Sequence, residues 1–231
     1  MKTIGLIGGM SWESSLEYYR ILNQAVKEKL GGFHSAKCVM YSVGFEEIEK
    51  LQHKGKWDEL TDIMIDAAQR VEKAGADFVL ICTNTMHKMA PEVESRISIP
   101  LLHIADVTAE QIKIKGQKKV GLLGTRFTME QEFYKGRLIK THGIEVIIPN
   151  EAQRKIIHNI LYNELVQGEI SRESKNKFKD IITSLESRGA EGIILGCTEI
   201  PLLVKQEDYD ILLYDTTDIH ARAAVELALK K

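Results

Sequence analysis

KTIGLIGGMSWESSLEYYR, from Lys2 to Arg20, returns in altered form as KKVGLLGTRFTMEQEFYKGR, from Lys118 to Arg137. Gly5 matches Gly121, Gly8 matches Gly124 and Tyr18 matches Tyr134, each 116 positions on. Both copies open with a short apolar run ending in glycine and continue with apolar residues at helical spacing, which is the order strand, turn, helix. A second echo follows: GADFVLICTNT, from Gly75, matches GAEGIILGCTE, from Gly189, at an offset of 114. A change of two in the offset is an ordinary loop difference, and the period is too long for a solenoid. The chain therefore reads as two similar halves.

Around these anchors, short apolar runs alternate with helical stretches, the pattern of an α/β protein with a mostly parallel sheet. Strands are predicted over TIGLIG (3 to 8), AKCVMYSV (36 to 43), DFVLIC (77 to 82), PLLHI (100 to 104), KVGLLG (119 to 124), IEVIIP (144 to 149), GIILG (192 to 196) and DILLYD (210 to 215). Trp57 to Lys73 reads as a helix, with Leu60, Ile63, Met64, Ala67, Ala68 and Val71 on one face and Gly75 marking its end. The expected fold is α/β: two pseudo-symmetric three-layer α/β lobes with mostly parallel sheets and an active-site cleft between them. Residues 1–105 with 206–231 are assigned to the first lobe, DILLYD and the final helix returning to it, and 106–205 to the second.

The 231 residues are 44% hydrophobic and 28% charged, with a formal net charge of −2 and no block of like charges. A nucleic-acid or membrane-surface role usually leaves a basic patch, so neither is expected. MKTIGLIGGMSWE has too short an apolar run for a signal peptide, and no stretch approaches a membrane span, so a cytoplasmic location is expected. GLIGGM is not the G-x-G-x-x-G of a dinucleotide loop, and the second half lacks it. His87, His103 and His220 are not at metal-ligand spacing, and Lys88 has no motif behind it as a Schiff-base anchor. No metal is assigned.

The three cysteines, Cys38, Cys82 and Cys197, are odd in number and far apart, so each is read singly. Cys38 lies inside a predicted strand and is expected in the core. Carried along the second echo, Cys197 falls opposite Thr83, while Cys82 falls opposite Gly196. Neighbouring residues of a strand point to opposite faces. If Cys197 faces a cleft, Thr83 is its counterpart and Cys82 points away into packing. A pair of such groups, one from each half at the carboxyl ends of strands, suits a reaction that addresses both faces of one carbon, as racemisation does.

These stretches resemble the aspartate/glutamate racemase superfamily over essentially the whole chain: IGLIGGMSWESSLEYYR, CTNTMHKMAPEVE, LLGTRFTMEQEFYKGRL and LGCTEIPLL. GCTEIPLL resembles the aspartate racemase branch, where glutamate racemases usually read Cys-Thr-His. The resemblance implies interconversion of L and D acidic amino acids without pyridoxal phosphate or any other cofactor. Two-base members carry a cysteine immediately before Asn-Thr, where this chain has Thr83. A free thiol has a pKa of about 8.5, whereas a threonine hydroxyl is far too weak an acid to serve as the base. Cys197 is therefore expected as the base and Thr83 as the acid, directly or through a bound water. The resemblance places Cys197 on the L face.

Substrate contacts are expected from Met10, Ser11, Asn84, Thr85, Thr125, Thr128, Thr198, Glu199 and, from the family's set, Gln52. Backbone N–H groups following each site would hold the α-carboxylate at helix N-termini, and Glu199 could accept the ammonium. His87 is expected beside the site as a polar support. Aspartate racemases commonly place a basic residue near Glu-Leu-x-x-Gly for the side-chain carboxylate, and ELVQG (164 to 168) has none. The partner is a small amino acid, and a homodimer is compatible with the sequence. Two other readings stand beside the racemase: a single-cysteine decarboxylase of the same superfamily, which the polar Asn84, Thr85 and Glu199 disfavour, and an amino-acid-binding module with a degraded site.

Overall fold

The computed structural model describes residues 1–230. In chain order the elements are β1 (Ile4–Gly8), α1 (Trp12–Leu30), β2 (Cys38–Ser42), α2 (Phe45–His53), α3 (Trp57–Lys73), β3 (Phe78–Ile81), a 3₁₀ turn at Thr85–Met89, α4 (Ala90–Glu94) and α5 (Ile104–Ile114). The second series is β4 (Lys119–Gly124), α6 (Arg126–Glu130), α7 (Glu132–His142), β5 (Glu145–Ile147), α8 (Glu151–Asn163), α9 (Arg172–Ser187), β6 (Gly192–Gly196), α10 (Ile200–Leu203), β7 (Leu212–Asp215) and α11 (Thr216–Leu229). The fold is α/β with two parallel sheets, ordered β2-β1-β3 and β5-β4-β6-β7. Helix α3 has the bounds its apolar face predicts, and Gly75, at φ 92, turns the chain after it.

The internal repeat is carried into the strand register. Ile4 pairs with Phe78 and Ile7 with Ile81 in the first sheet; Val120 pairs with Gly192 and Leu123 with Leu195 in the second. Each pair maps onto its counterpart by the same offsets of 116 and 114 read from the sequence.

The chain forms two compact units: residues 1–104 with the chain from His220 onward, and Ala105–Ile219. In the first unit the sheet is covered on both faces. Ile7, Val79 and Ile81 pack with residues of α2, α3, α4 and the 3₁₀ turn. On the other face, Ile4, Leu6, Phe78, Leu80 and Cys82 pack with Tyr18, Ile21, Leu22, Ala25 and Val26 of α1 and with Ala221, Ala224, Val225 and Ala228 of α11. Strand alternation in Phe78–Ile81 is the source of this division.

Three expectations differ from what forms. PLLHI contributes only a bridge from Leu101 to Val79, because the Ile104 N–H goes to the His87 ring and α5 begins there. Its counterpart DILLYD forms β7, which pairs with β6 in the second sheet instead of returning to the first. The return occurs later, inside α11 at His220. Cys38 is half-buried, since β2 is an edge strand, and it borders an apolar groove with Trp12, Leu16, Tyr19 and Met40.

Candidate active site

In the first unit, strand alternation continues one residue beyond β3. The Cys82 N–H donates to Ile7 O at 2.9 Å, and the Cys82 side chain joins the cluster under α1 and α11. Burial pushes its thiol well up, so it is a core residue without thiolate character. Its carbonyl accepts from the Ser14 hydroxyl at 2.9 Å. Thr83 follows, half-buried, at the point where the chain leaves the sheet. Its carbonyl lies 2.8 Å from His87 Nδ1. Asn84 and Thr85 are buried at the start of the 3₁₀ turn.

Met10 and Ser11 occupy the turn between β1 and α1, both buried. Gly9 (φ 92) opens this turn, and Ser11 caps α1 by accepting from the Ser14 N–H at 3.4 Å. Met10, Ile48 and Met86 share one apolar cluster, and buried Gln52 follows Ile48 by one turn of α2. Met10 and Ser11 thus follow the carboxyl end of β1, and Asn84 and Thr85 that of β3.

In the second unit, Thr125 caps α6, accepting from the Thr128 N–H at 3.3 Å, and the two hydroxyls lie 3.2 Å apart. Gly196 ends β6 in close contact with β4: a Cβ there would lie 2.8 Å from Leu123 O and 3.3 Å from the Thr128 side chain. Cys197 and Thr198, both half-buried, come next. Cys197 Sγ donates to Glu199 Oε2 at 3.0 Å, and Thr198 Oγ1 donates to the same oxygen at 2.8 Å.

Burial, then the Glu199 charge, then the hydrogen bond to that carboxylate raise the Cys197 thiol well above its ordinary value. The backbone N–H groups of Thr198 and Glu199 act in the opposite direction and are outweighed. The geometry is that of a thiol donor facing a carboxylate acceptor.

The helices that follow the two sites are short. One is the five-residue 3₁₀ turn and the other the four-residue α10. Neither builds a full helix dipole, so an anion there would be held by individual N–H groups.

One polar group escaped the sequence reading. Thr217, in the first turn of α11, is 3% exposed, and its Oγ1 has no hydrogen-bond partner among the described residues. Next to it, Thr216 Oγ1 donates to Leu195 O at 2.9 Å, fixing this turn beside the end of β6. The repeat could not have found Thr217: Leu101 bridges Val79 as Leu213 pairs with Ile193, and counted from those two leucines Thr217 falls opposite Ala105.

The profile of the Asp/Glu/hydantoin racemase family matches residues 7–224. This chain belongs to that family. Its enzyme class is amino-acid racemase, and the relatives agree on the fold over the full length. A candidate Asp/Glu racemase from Yersinia pestis is 53% identical with a TM-score of 0.94, and the similarity covers all of both chains. An aspartate racemase homologue from Pyrococcus horikoshii OT3 is 36% identical with a TM-score of 0.87, again over all of both chains. The broad specificity amino-acid racemase RacX of Bacillus subtilis is 28% identical over 172 residues, 74% of each chain. Within this racemase no described helix is long and apolar enough to cross a membrane, and no group of described residues could hold a metal ion.

Proposed function

We propose that the protein interconverts the L and D forms of an acidic amino acid, aspartate or glutamate. Cys197 removes the α-proton on the L face, and Thr83 delivers a proton to the other face, directly or through a bound water. The observation that carries this reading is the contrast between two matched positions. One strand is followed by a thiol donating to a carboxylate, whereas at the matched place of the other sheet stands Thr83, and the thiol one residue before it, Cys82, is sealed in the core.

A thiol held protonated by a neighbouring carboxylate must become a base when substrate arrives. The substrate's α-ammonium supplies the change. Placed against Glu199, it offsets the charge that raises the Cys197 thiol and gives the carboxylate a new partner. Thr85, Thr125, Thr198 and the buried Thr217 hydroxyl are the groups suited to orienting the carboxylates. The three free cysteines suit a reducing, cytoplasmic compartment.

The stretch expected to hold the substrate's side-chain carboxylate carries no basic residue, and Glu164 instead receives the hydroxyls of Ser171 and Ser174 at 3.1 and 2.7 Å. That feature, with a relative described as broad in specificity, makes neutral amino acids necessary controls. The test is α-proton exchange in D₂O, followed by NMR, for both enantiomers of aspartate, glutamate and several neutral amino acids. Exchange of an L acidic substrate that disappears in Cys197→Ala, with D exchange raised in Thr83→Cys, is expected. General acid–base groups contribute roughly 10²- to 10⁴-fold, which sets the scale of both effects. No exchange with any acidic amino acid rejects the reading.

A further inference from the structure

Beneath Thr83, three histidines and a tyrosine are packed together in the first unit. His87, His103 and His220 are each at most 4% exposed. The His87 ring centroid lies 4.6 Å from that of His103 and 5.7 Å from that of His220, and His220 meets Tyr18 edge-on at 5.7 Å. They do not form a metal site. The hydrogen bonds of two of them, His87 and His220, give those imidazoles defined tasks.

His87 Nδ1 lies 2.8 Å from the Thr83 carbonyl, which can only accept, so Nδ1 carries a hydrogen. Its Nε2 lies 3.2 Å from the Ile104 N–H, which can only donate, so Nε2 offers its lone pair. Both ring nitrogens are committed to main-chain groups, and neither is left to exchange a proton with a substrate. The ring ties the turn carrying Thr83 to the residue at which α5 begins. His220 completes the support: Nε2 donates to Leu102 O at 2.8 Å, and Nδ1 accepts from the Tyr18 hydroxyl at 2.8 Å.

We propose that His87 is a positioning residue for Thr83: by holding the Thr83 carbonyl, it fixes the peptide that aims the Thr83 hydroxyl at the substrate. This rests on the racemase reading above. Thr83 has just left the sheet, so the strand ladder no longer constrains its carbonyl, and the bond to His87 takes over that role. A displacement of about 1 Å at a proton-transfer group can cost roughly 10²-fold in rate.

The experiment separates the two faces of the reaction. In D₂O, loss of the L substrate's α-proton reports on Cys197 alone, whereas appearance of the D enantiomer also requires Thr83. The ratio of D product formed to L protons exchanged is independent of how much of a sample is folded. His87→Asn keeps an amide N–H where Nδ1 stands and loses the acceptor for Ile104. His87→Gln keeps the acceptor and loses the donor to Thr83.

The ratio is expected to stay near that of the unmodified protein in His87→Asn and to fall about tenfold or more in His87→Gln. An equal ratio in both variants would overturn the assignment while leaving the racemase reading intact. If the unmodified protein exchanges no α-proton, the racemase reading fails and this assignment with it. Should neither variant fold, ¹⁵N shifts of the unmodified protein decide instead. A His87 carrying its proton on Nε2 would sink the proposal.

Discussion

Cys197 presents a conflict within a single side chain. A base should ionise readily, yet burial, then the Glu199 charge and the hydrogen bond that carboxylate accepts from Sγ, raise this thiol. If Glu199 is the main removable cause, Glu199→Gln should shift thiolate formation toward lower pH. The measurement is the pH dependence of Cys197 alkylation by iodoacetamide, followed on the Cys197 peptide by mass spectrometry. A curve displaced to lower pH in Glu199→Gln is expected; an unmoved curve would assign the shift to burial alone. The same variant should raise KM, because the ammonium loses its counter-charge. The repeat sets Cys197 opposite Thr83 in sequence. The carboxylate geometry was not legible there, because a motif gives neighbours in sequence without saying which oxygen faces the sulfur.

The elements show why Gly196 and Cys82 occupy matched places with such different consequences. At the end of β6 the backbone of β4 approaches so closely that a Cβ on Gly196 would press on the Leu123 carbonyl. In the first sheet the matched position carries Cys82, whose side chain enters the cluster under α1 and α11. Gly196→Ala is therefore expected to destabilise the protein by about 1 to 3 kcal/mol, since the clash is with backbone rather than a flexible side chain. Urea unfolding would measure it, and a loss below ~0.5 kcal/mol would show that the strands separate freely.

Strand positions and their register were readable because apolar runs and glycines repeat with constant offsets. What Pro100 to Ile104 and Asp210 to Asp215 would do was not. Both read as strands, but only β7 pairs along its length, because in the first half a His87 nitrogen takes the N–H at which the chain turns into α5. That is a contact between residues seventeen apart, invisible to any local pattern.

On the scale of the whole molecule, the first unit is closed by the chain's last helix. Ala221, Ala224, Val225 and Ala228 pack on α1 and β3, so that unit's core is incomplete until the C-terminal residues arrive. His220 is the polar tie within this contact, joining Tyr18 to Leu102 O. Burial first, and then the neighbouring His87, lower the His220 pKa from its ordinary 6.5 to about 3. The sign follows from proton binding. Between those values the unfolded chain holds a proton on this imidazole that the folded chain does not, so stability falls as pH drops from about 6.5 toward 3. One such proton costs up to about 1.4 kcal/mol per pH unit.

His220→Gln removes the titration, keeps an amide donor for Leu102 O and leaves the Tyr18 hydroxyl without its acceptor, which costs roughly 1 to 3 kcal/mol at neutral pH. The unmodified protein is therefore expected to be the more stable by a constant margin from pH 8 to about 6.5, with that margin shrinking as the pH is lowered further to 4. Chemical denaturation across that range measures it. Parallel stability curves would mean that His220 takes up its proton at the same pH in the folded as in the unfolded chain, so that the tie between α1 and α11 becomes charged below about pH 6.5.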